Sequence, residues 1–85
     1  MGDKIAIKIK FFSGIDKELK LGNYDRAEGL LMSMPSGKRL RWALDSIGMK
    51  KLSDYAFFRS GERIFPRTKM NDGDEISCLK PSGGG

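Results

Sequence analysis

Residues 4–12 alternate: Ile5, Ile7, Ile9 and Phe11 fall on one side, with Lys4, Ala6, Lys8 and Lys10 on the other. That is the period of a half-buried strand with its isoleucine face inward. The lysines keep the opposite face in water and discourage stray pairing. Phe12 breaks the polar face at the strand's end, where it either packs under the next loop or stays open to a partner. After Ser13-Gly14 the alternation stops. Residues 15–21 (IDKELKL) are expected to make a helical turn or two on the anchors Ile15, Leu19 and Leu21, ended by Gly22-Asn23. Residues 24–29 are polar and read as a loop, so the first connection is a long one.

Residues 30–34 (LLMSM) predict a short second strand, and Pro35 pushes Met34 toward extended geometry. The period then changes. Leu40, Ala43, Leu44 and Ile47 sit at i, i+3, i+4 and i+7, which predicts a helix over 38–47 with Ser36 as N-cap, Gly48 as its stop, and Arg39, Arg41 and Asp45 outward. Trp42 lies off the centre of that stripe, as the flank of the core or as a contact residue. Lys50-Lys51 reads as solvated charge, and Leu52 is placed to tuck under the sheet. Residues 55–59 (YAFFR) and 63–65 form two β-prone runs joined by a tight Ser60-Gly61 turn and stopped by Pro66. Residues 67–71 read as irregular. Asp72-Gly73-Asp74 is a turn whose glycine is free to take positive φ, and it launches a last strand over 75–79. The order β-(loop)-β-α-β-β-β predicts an α+β domain, one sheet with a single main helix on its apolar face and strands one and five central. We take 1–79 as the domain and 80–85 as a flexible tail.

Composition narrows the function classes. Eighty-five residues make one small domain, too small to enclose a deep substrate cavity. There is no histidine and one cysteine, Cys78, which removes the histidine-based triads, the usual metal centres and any internal disulfide framework. Cys78 reads as a small core residue. These absences argue against an autonomous enzyme, and no bound cofactor or metal is expected. Sixteen basic against eleven acidic side chains, a net +5, leave room for an acidic partner, protein or nucleic acid. Phosphate-cradling glycine loops and the aromatic signatures of RNA modules are missing, so nucleic acid is not the expected partner. No apolar run is long enough to span a bilayer, and Met1-Gly2-Asp3-Lys4 leads directly into the first strand pattern. A cytoplasmic location without a membrane partner is expected.

The end of the sequence, Lys80-Pro81-Ser82-Gly83-Gly84-Gly85, follows the last strand at once and is either a functional terminus or a linker-like tail. The rest of the chain bears on that choice. Lys8-Ile9-Lys10-Phe11-Phe12 resembles the first strand of MoaD proteins, which commonly ends in paired aromatics. Pro35-Ser36-Gly37 followed by Leu40, Ala43 and Leu44 resembles the turn into the family helix. Gly61-Glu62-Arg63-Ile64-Phe65-Pro66-Arg67 is similar to a ThiS segment of the type Gly-Glu-x-Val-Pro-Arg, with one extra residue. Asp72-Gly73-Asp74-Glu75-Ile76 matches the turn that both families place before the last strand, and Gly84-Gly85 match their closing pair. The chain thus resembles the MoaD/ThiS family of ubiquitin-like, β-grasp sulfur carriers over most of its length, residues 15–29 excepted, which implies one mixed sheet with a single main helix packed on one face and a flexible Gly-Gly tail.

That resemblance implies a chemistry. A carboxylate is a poor acyl donor, because its leaving group would be oxide. In the families a ubiquitin-activating-type adenylyltransferase (MoeB- or ThiF-like) uses ATP to adenylate the terminal carboxyl, here Gly85. A sulfur donor then displaces AMP and leaves a thiocarboxylate. A downstream synthase subunit, MoaE- or ThiG-like, receives the sulfur for molybdopterin or for thiamine. No side chain of the carrier has to react. Gly84 and Gly83 give access to a narrow channel because they have no Cβ, and Lys80 to Gly85 reach about 20 Å when extended. Pro81 stiffens the root of the tail. Phe12, Phe65, Lys80 and Pro81 are the expected partner contacts. The same activated terminus would also serve a ubiquitin-like modifier, and a basic nucleic-acid-binding module is the remaining alternative.

Overall fold

The structure, a computed structural model, describes residues 3–22 and 24–81. The alternating segments become five strands, β1 (Lys4–Phe11), β2 (Leu30–Pro35), β3 (Ala56–Arg59), β4 (Glu62–Ile64) and β5 (Glu75–Leu79). Between them lie the one-turn helix α1 (Ile15–Glu18), the main helix α2 (Leu40–Ser46) and a 3-10 turn at Leu52–Asp54. The strands form one sheet in the order β2-β1-β5-β3-β4. Strands β1 and β5 run parallel, and the other neighbours are antiparallel. This is the single sheet with one main helix that the hydrophobic pattern predicts, mixed as the resemblance implies, with β5 at its centre and β1 beside it.

The registers put every large inward side chain on one face. Ile9 lies opposite Leu30 and Ile76, and Phe11 and Phe57 both lie opposite Cys78. These residues and Met34 meet Leu40, Ala43 and Leu44 of α2 in a single core. Full burial of aliphatic side chains of this size is worth about 1.5–3 kcal/mol each, so this layer supplies most of the driving force for folding. Cys78 is fully buried in it, and burial pushes its thiol up to about 12.

The helix is shorter at its start than the periodicity predicts. Arg39 is extended and Lys38 lies outside the helix, because the passing segment 66–70 takes up their neighbourhood: Arg39 forms a β-bridge with Lys69, and the Met70 N–H donates to the Lys38 carbonyl. Ser36 is therefore not the cap. Arg39 occupies that position without a side-chain bond to the helix start, and the Leu40 and Arg41 amides donate instead to the carbonyls of Thr68 and Pro66 (2.9 and 2.8 Å). The orphan donors of a helix start are thus satisfied by another part of the chain. At the other end Gly48 takes φ +83, with Gly48 N–H to Asp45 and Met49 N–H to Leu44, the two bonds of a Schellman stop.

The long connection is packed. Ile15 is fully buried, and Leu19, Leu21 and Tyr24 press on the core. Ile9, at the end of the β2 pairing, lies opposite Leu30. Beyond that point the Phe11 amide has no partner in β2, and it donates instead to the Tyr24 hydroxyl at 2.7 Å. The two rings meet edge to face, 5.6 Å apart. Among the described residues no helix is long and apolar enough to cross a membrane.

Candidate functional site

The face of the sheet away from α2 carries the exposed side chains Leu31, Phe12 and Phe65, and the strand registers order it into rows. Leu79 pairs with Ala56, and the Phe12 amide continues the β1–β5 ladder by donating to the Cys78 carbonyl at 2.9 Å. One step past Phe11 and Cys78, Phe12 lines up with Leu79 on the open face. Beyond Ala56, one step past the end of the β3–β4 ladder, comes Phe65. Phe12 is 48 % exposed and Phe65 51 % exposed. They stand at opposite ends of one row, about three strand spacings or roughly 14 Å apart. The next row runs Lys10, Ser77, Phe58, Arg63. The Arg63 guanidinium lies against the rings of Phe58 and Phe65, 5.9 and 5.2 Å from their centres, which fixes Phe65 to this face.

The chain leaves β5 at the end of the sheet that carries the aromatic row. Lys80 and Pro81 are both exposed there. The Lys80 ammonium pairs with the Glu18 carboxylate of α1, and that hydrogen bond raises the Lys80 pKa. Tyr55 sits close by, with its phenol raised first by burial and then by the Glu18 charge. Gly83, Gly84 and Gly85, the predicted activation site and its access residues, lie outside the described residues. Of the predicted contacts, the fold brings Phe12, Phe65, Lys80 and Pro81 to one end of the sheet.

Other roles went unread in the sequence. The Asp72-Gly73-Asp74 turn is a clamp on the start of β1: Asp72 accepts the Ala6 amide at 2.8 Å, and the Gly73 amide donates to the Ala6 carbonyl. Asp74 accepts both the Asn71 amide and the Arg59 guanidinium. Trp42 is 38 % exposed and lies outside the core cluster. Among the described residues no group of histidine, cysteine, aspartate and glutamate is arranged to hold a metal ion.

A mixed five-stranded sheet in this order, with one main helix on one face and the last strand in the middle, is the ubiquitin-like β-grasp fold. Solved structures that share it include the following three. A Pyrococcus furiosus protein assigned as molybdopterin converting factor, subunit 1, superposes with a TM-score of 0.69 at 16 % identity, over 91 % of this chain and 98 % of that one. SAMP1 from Haloferax volcanii matches with a TM-score of 0.69 at 15 % identity, over 94 % and 99 %. Small archaeal modifier protein 1 (SAMP1) from Methanosarcina acetivorans matches with a TM-score of 0.63 at 18 % identity, over 99 % and 100 %. The sequence matches no protein-family model and no curated protein.

Proposed function

We propose that the protein is a carrier of the MoaD type, activated by a partner at the carboxyl of Gly85. The observation that supports this most is the position of β5. The last strand is the middle of the sheet, and it hands the chain to Lys80 beside a row whose two ends, Phe12 and Phe65, are exposed. An adenylating partner docks on that row while the closing Gly84-Gly85 enters its active site. The carboxylate attacks the α-phosphorus of ATP and releases pyrophosphate. Sulfide sulfur from a donor then adds to the acyl carbon and expels AMP, leaving the thiocarboxylate. A downstream synthase subunit takes the sulfur. The recipient reading favoured is molybdopterin rather than thiamine, in keeping with the name of one similar structure.

A second reading, a protein modifier joined to lysines through the same activated terminus, is supported by the two similar structures named as archaeal modifiers. The two readings share their first step. Incubation with a MoeB-like adenylyltransferase and ATP is expected to release pyrophosphate with the full chain and none with the chain lacking Gly84-Gly85, which ends in Ser82-Gly83 and whose circular dichroism stays native. Equal release from the truncated chain overturns both.

A further inference from the structure

Five cations line a trough along the β4 side of the molecule. The β3–β4 ladder ends at the pair Phe57 and Ile64, and the chain parts on either side of it. A concavity of about 600 Å³ opens there, floored by Leu52, Tyr55 and Phe57 and edged by Arg41, Arg63 and Arg67. A second concavity of about 450 Å³ shares Arg41, Leu52 and Pro66 with it and adds Lys50 and Lys51. Among the described residues Asp45 is the only acidic one lining either concavity. The ion pairs among the described residues are Arg59–Asp74 and Lys80–Glu18, so the trough's charge is not neutralised from within.

Its walls are fixed in advance. The Arg41 amide is bonded to the Pro66 carbonyl, the Arg39 guanidinium to the Arg67 carbonyl, and the Phe65 amide to the Thr68 hydroxyl. Arg63 is held by its two aromatic neighbours. A ligand therefore meets an ordered backbone frame with Arg63 already held in place, while the exposed Arg41 and Arg67 side chains are ordered on binding.

We infer that this trough binds an acidic peptide segment, with an apolar side chain over Tyr55 and Leu52 and carboxylates on Arg41, Arg63 and Arg67. Guanidinium forks match carboxylates in a bidentate fashion, and an apolar floor of this size takes one or two side chains. A nucleic-acid backbone is the poorer fit. It needs cations in one continuous track, whereas Lys8 and Lys10 lie on β1, separated from the trough by β5 and β3. The site goes beyond the carrier reading and does not depend on the tail.

The test is fluorescence anisotropy with the full chain and a labelled peptide of about ten residues, glutamates around one central phenylalanine. A glutamine version and an oligouridylate of similar length are run beside it. The acidic peptide is expected to bind saturably, and to weaken at least about tenfold in Arg41→Glu/Arg67→Glu and again on raising salt from about 0.05 to 0.5 M. Both arginines are exposed, and an unchanged melting curve confirms that the double variant folds; Arg67→Ala serves as a milder second variant. Removal of Gly84-Gly85 leaves binding unchanged, so a failed activation assay and a failed binding assay are separate results. No binding, binding unaffected by either variant, or tighter variant-sensitive binding of the oligouridylate overturns the assignment.

Discussion

Replacing Tyr24 with phenylalanine removes a single oxygen, and the structure says what that costs. The Phe11 amide donates to the Tyr24 hydroxyl at 2.7 Å, and Phe11 itself is 5 % exposed. Tyr24→Phe keeps the edge-to-face ring contact at 5.6 Å and the packing around it. What is lost is the acceptor, so a largely buried N–H is left without one, a penalty of about 1–3 kcal/mol. Because the bond is only partly shielded from water, the lower half of that range applies, about 1–2 kcal/mol. In a domain of this size each kcal/mol moves the midpoint by about 4–8 °C, so Tm is expected to fall by roughly 5–15 °C. Thermal unfolding followed by circular dichroism reads the shift, and amide exchange at Phe11 reads its cause. A variant melting within about 2 °C of the parent, with Phe11 exchange unchanged, would refute the role given to the hydroxyl.

Two further outcomes follow from the core and the open face. Cys78 is ionised less readily folded than unfolded, its thiol raised from 9.0 to about 12 by burial. Its contribution is therefore complete below pH 9 and is lost as pH rises toward 12, by about 1.4 kcal/mol per pH unit. Urea unfolding at pH 8 and pH 10 is expected to show this alkaline loss in the parent and a shallower one in Cys78→Ala; equal slopes would contradict it. Phe12→Asp and Phe65→Asp change exposed side chains, so Tm is expected to stay within about 2 °C of the parent while adenylation by the partner falls at least tenfold. Unaltered adenylation would remove the open row from the docking surface.

Much of this was legible in the chain because local period carries it. Ile5 to Phe11 could only face inward as a strand, and Gly48, Gly61 and Gly73 take the positive φ that their turns require. The misread parts are those decided by distant partners. Lys38 and Arg39 have a helical pattern after them, yet segment 66–70 holds them outside the helix. Residues 15–29 had no counterpart in the family resemblance, and nothing in their polarity announces that Tyr24 closes the backbone of β1 from thirteen residues away. Phe12 and Phe65 were legible as apolar residues near strand ends, but their common row depends on the β1-β5-β3-β4 order. The cationic trough is assembled from three separated segments, around Arg41, Leu52 and Arg63 to Arg67, and no window of sequence contains it.

The central claim concerns one atom, the carboxyl carbon of Gly85. Intact-mass spectrometry of the protein purified from its own cell, or after reaction with the adenylating partner, ATP and a sulfur donor, examines that atom directly. A terminal species heavier by one sulfur-for-oxygen exchange, carried on a fragment ending in Gly84-Gly85 and absent when Gly84-Gly85 are deleted, is the expected result. A terminus that stays a plain carboxylate under both conditions, with no conjugates of higher mass, would contradict the carrier and the modifier together.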